Sequence, residues 1–192
     1  MNYYSNFEQQ IPEKGDLLIS EPFLPDPNFD RTVVLICEHN EQGSFGFILN
    51  KPSLLKLSDV MEEINPFEKT IHVGGPVQQD TLHFIHRMGH ILEGGEEIGE
   101  DIYWGGNFEQ LKIMVSNKEV NHDDIIFFLG YSGWGEGQML KEIEEKSWIV
   151  HKMPTSEQVF DKNPESLWRE ILKEKGGKYK MFSNYPTDPR LN

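Results

Sequence analysis

The chain has 192 residues and a formal net charge of −14 at pH 7, with 37% hydrophobic and 26% charged side chains. That length suits one domain, and 12 Phe, 6 Tyr and 4 Trp supply bulky core material, so disorder, coiled coil and collagen are excluded. A single cysteine excludes a disulfide scaffold, and no apolar run approaches the roughly 20 residues a membrane span needs. The acidic balance argues against direct binding of nucleic acid or of an anionic membrane surface. The opening residues show neither a basic start nor an apolar segment, so a cytoplasmic protein is expected.

Residues 17–19 form a short apolar run closed by Glu21-Pro22, and Pro22, Pro25 and Pro27 keep the next stretch extended. Residues 32–37 (TVVLIC) are continuous and β-branched, which predicts a strand buried on both faces. A turn at residues 39–43 and a second strand at 44–49 make a hairpin, closed by Asn50-Lys51-Pro52. Residues 57–64 predict a short amphipathic helix, and 70–73 a strand running into the Gly74-Gly75-Pro76 turn. A strand at 82–86 leads to an acidic stretch, residues 93–101 (EGGEEIGED), expected to be a solvated loop. A strand at 101–104 precedes a helix capped by Asn107, with Phe108, Leu111 and Val115 on one face. Residues 125–129 (IIFFL) read as the central strand, followed by a glycine-rich turn at 130–137, a helix at 138–146 and a strand at 148–150. Asn163-Pro164 opens a helix carrying Leu167, Trp168, Ile171 and Leu172 on one side, and residues 173–192 read as a tail. Strands and helices mixed in this irregular order predict a single α+β domain.

Four glycines at 130–137, with Tyr131, Ser132 and Trp134 among them, stand between a strand and a helix, where phosphate cradles and nucleophile elbows occur. No Lys-Ser/Thr follows, as a P-loop requires, and the spacing is not that of a dinucleotide fingerprint, so no cofactor is expected. Glu136 would also compete with a bound phosphate at the helix start. Trp134 stands where a nucleophile elbow needs its second glycine, which weakens Ser132 as a nucleophile. The turn therefore reads either as a tight backbone crossing or as the floor of a pocket. His83 and His86 are three apart on a strand and fall on opposite faces, and Cys37 has no second thiol, so no metal site is expected. The basic stretch at Lys173, Lys175, Lys178 and Lys180 reads as a solvated helix end.

Several of these motifs together resemble the YqgE/AlgH family of bacterial proteins. They are residues 15–20 (GDLLIS), Pro22, residues 29–34 (FDRTVV), residues 38–40 (EHN), residues 46–52 (GFILNKP), residues 74–77 (GGPV), and residues 130–135 (GYSGWG) with 137–139 (GQM), Glu142-Ile143 and Trp148. Ser132 fills a place the family usually gives to Ala, and Glu136 one it usually gives to Pro. The resemblance implies an α+β fold whose sheets bend into a pseudo-barrel, and a bacterial cytoplasmic protein. The family's customary label is transcriptional regulator, yet this chain shows no helix-turn-helix with a basic recognition helix, so any regulation is expected to be indirect. The expected function is a non-enzymatic binding or regulatory module for a protein or small-molecule partner. Its working surface would join His39, Asn40 and Asn50 with Gly74, Gly75, Pro76, Gly130, Tyr131, Gly133, Trp134 and Gln138. The competing expectation is a small hydrolase using Ser132 or a water activated by His39.

Overall fold

A computed structural model describes residues 11–61 and 67–186. Ten strands form one sheet in the order β10-β1-β2-β3-β9-β6-β8-β7, with β5 paired to β9 off this path and β4 to β5. They are β1 (Leu17–Ser20), β2 (Val33–Asn40), β3 (Gly43–Ile48), β4 (Pro52–Lys56), β5 (Thr70–Val73), β6 (Val77–His86), β7 (Glu96–Gly99), β8 (Ile102–Trp104), β9 (Ile125–Gly135) and β10 (Trp148–His151). Every pairing is antiparallel except β5 with β9. The helices are α1 (Leu57–Val60), α2 (Phe108–Ser116), α3 (Gln138–Glu144), α4 (Ser156–Val159), α5 (Leu167–Lys175) and α6 (Gly177–Phe182). The class is α+β, as expected. The sheet bends but is not closed by a ladder: a Cβ at Gly15, just before β1, would lie 2.2 Å from the Ile98 carbonyl oxygen on β7, and Lys14 pairs with Glu96 at 3.2 Å.

Three apolar clusters follow from alternation along the strands. Inside the bend, Leu17 faces Leu35 and Leu35 faces Phe47 across three strands, and Trp168, Ile171 and Leu172 of α5 close the cluster at one end. There the Trp168 indole donates to the Ser20 carbonyl at 2.9 Å. Outside, α2 sets Leu111, Met114 and Val115 against Phe84 and Phe127. On the other outer face α3 sets Met139 and Ile143 against Val34, Ile48, Trp134 and Trp148.

β9 is the element all three clusters share, and it is longer than the sequence predicts: it continues through the stretch expected to be a turn and ends at Gly135. Its first half pairs with β5 and β6, its last residues with β3. The acidic stretch likewise contains β7, whose Ile98 is buried in the inner cluster. Residues 173–186 are not a tail. Tyr179 and Phe182 of α6 pack on the inner cluster, and the Arg31 guanidinium donates to the carbonyls of Tyr185 and Pro186 at 2.8 and 2.6 Å. Asn107 caps α2 by accepting from the Gln110 amide at 3.0 Å, as its sequence position suggested. Asn163 makes no such cap. The helix expected over 57–64 is found at Leu57–Val60, and residues 62–64 of that expectation lie outside the described residues.

Candidate functional site

Two irregularities decide which side chains meet. Between Ile36 and Glu38 the β2–β3 register shifts at Cys37, which reverses the alternation beyond it. Glu38 then stands opposite Phe45 on the inner face, and His39 stands opposite Ser44 on the outer face. The second irregularity is Gly130, at φ +68°, where the pairing of β6 with β9 shifts register. Ile126 and Phe128 face inward before this kink and Tyr131 faces inward after it, so it is Tyr131 that turns into the bend and Trp134 that turns out of it.

The glycine motifs serve each other. A Cβ at Gly74 would lie 2.3 Å from the Gly130 carbonyl oxygen, and one at Gly75 would lie 2.2 Å from the carbonyl of Tyr131. The Gly74-Gly75-Pro76 turn is thus pressed on the kink of β9, a crossing only bare backbone can make. Ser132 is fully buried within it and its hydroxyl donates to the Gly74 carbonyl at 3.1 Å. That contact gives the hydroxyl a structural partner and leaves the hydrolase alternative without support. His39 holds its Nδ1 2.6 Å from Ser44 Oγ, and its other ring nitrogen bonds no described residue, so no third group among the described residues orients it as a catalytic base would be oriented.

Trp134, expected on the working surface, is buried at 5% exposure. Its indole donates to Glu142 Oε2 at 2.9 Å, and the Trp148 indole donates to the same oxygen at 2.8 Å. Gln138 donates to the other oxygen of Glu142 at 2.8 Å and accepts from the Gly135 amide at 3.0 Å. Asn50 accepts from the Val33 amide and donates to the Arg31 carbonyl, both at 2.8 Å, closing the end of the hairpin. Trp134, Gln138 and Asn50 therefore hold the framework together.

A groove remains at the end of the inner cluster away from α5, with a volume of about 590 Å³. Its walls are Phe45 from β3, Trp104 from β8 and Tyr131 from β9, all only partly buried. Phe45 lies 4.8 Å from Trp104 and 6.1 Å from Tyr131 between ring centroids, at interplanar angles of 65° and 79°. His83 adds a fourth ring 6.0 Å from Tyr131, and burial lowers its pKa so that the imidazole is neutral at pH 7. Glu38, Asn40 and Gln42 from the hairpin tip form the polar rim. Of the residues singled out from sequence, the groove gathers Asn40, Tyr131, Gly133 and the backbone side of Trp134, while His39 lines a smaller crevice with Gly135 and Gly137 on the other face. Phe45, Trp104, Glu38 and Gln42 lie outside the working surface expected from sequence. The one signal for Phe45 was its place on a strand flanked by glycines.

Among the described residues no group of three His, Cys, Asp or Glu is placed to hold a metal ion, and no helix is long and apolar enough to cross a membrane.

The AlgH-like family profile, DUF179, matches residues 17–180. A UPF0301 protein of Cytophaga hutchinsonii is 51% identical over 180 residues, spanning 93% of this chain and 98% of its own length. A UPF0301 protein of Chlorobaculum tepidum is 42% identical over 185 residues, spanning 96% of this chain and 98% of its own. Among solved structures, the AlgH protein from Pseudomonas aeruginosa matches with a TM-score of 0.69 at 28% identity, over 97% of this chain and 98% of that one. Protein DIP2367 from Corynebacterium diphtheriae shares the fold, with a TM-score of 0.75 at 22% identity over 93% and 95% of the two chains. Matches that run the length of the chain, together with the shared fold, establish that this protein belongs to the AlgH-like family.

Proposed function

We propose that the protein is a binding module whose ligand occupies the Phe45–Trp104–Tyr131 groove, and that any regulatory role is exerted through that ligand and not through contact with DNA. One observation carries this reading: three partly exposed aromatic rings from three strands converge on a groove at an end of the inner cluster away from α5. Mouths of bent sheets with apolar walls and a few polar rim groups are where small ligands bind. Against direct DNA contact stand the net charge of −14 and the use of the basic stretch within the fold. Lys175 donates to the Val150 carbonyl at 3.0 Å, and both Lys175 and Lys178 lie over the Tyr179 ring. A cytoplasmic setting belongs to the same proposal.

The test is a small-molecule fragment screen by amide chemical-shift mapping on the full chain. Hits are expected to shift Phe45, Trp104 and Tyr131 and to be lost in Gly133→Val. A Cβ at Gly133 would sit 3.3 Å from the Tyr131 ring, so a side chain there fills the groove without entering the core. Hits that gather elsewhere, or that survive this substitution, would overturn the reading.

A further inference from the structure

We propose that the groove receives the head of a methylated ammonium cation, an assignment that rests on the binding reading above and names its ligand class. Aromatic faces carry negative quadrupole charge and attract cations within about 6 Å, more strongly when water is displaced. The three rings line one groove, and Trp104 and Tyr131 each stand steeply to Phe45, at 65° and 79°, so neither offers a face parallel to that of Phe45. Such walls suit a rounded head that presents C–H groups in several directions. A planar guanidinium would ask for parallel stacking.

The charges around the groove agree. Glu38 stands opposite Phe45 in register, and its Oε1 accepts from the Asn40 side-chain amide at 2.6 Å, which holds the carboxylate at the rim. Among the described residues no Lys or Arg lines the groove, and burial lowers the His83 pKa, which favours the neutral imidazole. An anionic ligand would thus meet a carboxylate and no counter-charge, whereas a cation meets one full negative charge and three rings. Phe45 also stands opposite Gly133 on β9, so the row Glu38–Phe45–Gly133 ends in a position without a side chain, and this leaves the space. A primary ammonium, strongly hydrated, would lose more on entering these apolar walls than a methylated one, whose charge lies behind methyl groups.

The experiment is a chemical-shift titration of the full chain with choline and tetramethylammonium. Beside them run the neutral isostere of choline, 3,3-dimethylbutan-1-ol, and guanidinium. Both methylated cations are expected to shift Phe45, Trp104 and Tyr131, with the neutral isostere weaker by about tenfold. Glu38→Gln, at an exposed position, is expected to weaken choline several-fold while leaving the isostere unchanged, and Gly133→Val to abolish both. An isostere that binds as well as choline would overturn the cation assignment and leave the binding reading standing. Guanidinium binding more tightly than choline would also overturn it. Should no probe of any charge move the groove residues, in this titration or in the fragment screen, both readings fail together.

Discussion

At the scale of single residues, the motif-bearing side chains are mostly devoted to holding the fold. Glu142 is the sharpest case, since one of its oxygens accepts from the indoles of both Trp134 and Trp148 and the other from Gln138. Removing it strands two indole donors in a nearly water-free setting, where an unsatisfied group costs about 1–3 kcal/mol. Glu142→Ala is therefore expected to lower stability by about 2–4 kcal/mol in urea denaturation, with tryptophan emission shifted to the red in the folded baseline. Gln138→Ala, at an exposed position, is expected to cost less than about 1 kcal/mol. Equal effects from the two substitutions would contradict the shared role of Glu142. The spacing of Trp134, Gln138, Glu142 and Trp148 was visible in the sequence. That they converge on one carboxylate was not, because it depends on α3 folding back over the outer face of β9.

Among the elements, the C-terminal helices show how far local composition can mislead. Lysines at 173, 175, 178 and 180 make the segment look like a solvated end. In the fold the long side chains lie along the surface while Tyr179 and Phe182 are turned to the inner cluster. Arg31, at φ +49°, lies 5.0 Å over Trp168 and donates to the Tyr185 and Pro186 carbonyls, tying the segment to the loop before β2. Deleting residues 177–192 uncovers these apolar surfaces. A loss of about 2–4 kcal/mol is expected, from two partly buried aromatic side chains at about 1.5–3 kcal/mol for full burial of each. Denaturation of the shortened chain checks this, and an unchanged midpoint would return the segment to the status of a tail. β7 makes the same point: an acidic stretch pairs with β8 as a strand and buries a single residue, Ile98, in the inner cluster.

For the whole molecule, burial sets the response to acid. The pKa values of His72, His83, His86 and His151 are all lowered, with desolvation the leading cause in each. His86 is the most constrained. It is fully buried, with Nε2 2.9 Å from the Gly105 carbonyl oxygen and Nδ1 accepting from the Met88 amide at 3.0 Å, a pairing only the neutral ring satisfies. Because the folded values lie below the unfolded value near 6.5, protonation favours the unfolded chain. The stability these rings contribute is complete above that value and is lost progressively as pH falls below it. Thermal midpoints are expected to decline from pH 7 to pH 5, with the His86 ring nitrogens still reporting a neutral tautomer below pH 6.5. A His86 titration at the ordinary value would contradict this account.

The sequence by itself determined the class, the β2–β3 hairpin, the strand over Thr70–Val73, the Asn107 cap and the family, because each is written in local spacing or in motifs that stay together along the chain. It also marked both glycine motifs as places of close approach, without showing that they approach each other. Only the tertiary structure decided which face each side chain takes. Alternation assigns faces correctly along an even strand, and one extra residue reverses everything beyond it. The register shift at Cys37 puts Glu38 and Asn40 beside Phe45 and sends His39 away, and the kink at Gly130 turns Tyr131 inward and Trp134 outward. Whether a strand absorbs such an irregularity depends on the backbone that crosses it, here the Gly74-Gly75-Pro76 turn from more than fifty residues away. The groove exists because those two reversals coincide on the strands that flank β3 on either side.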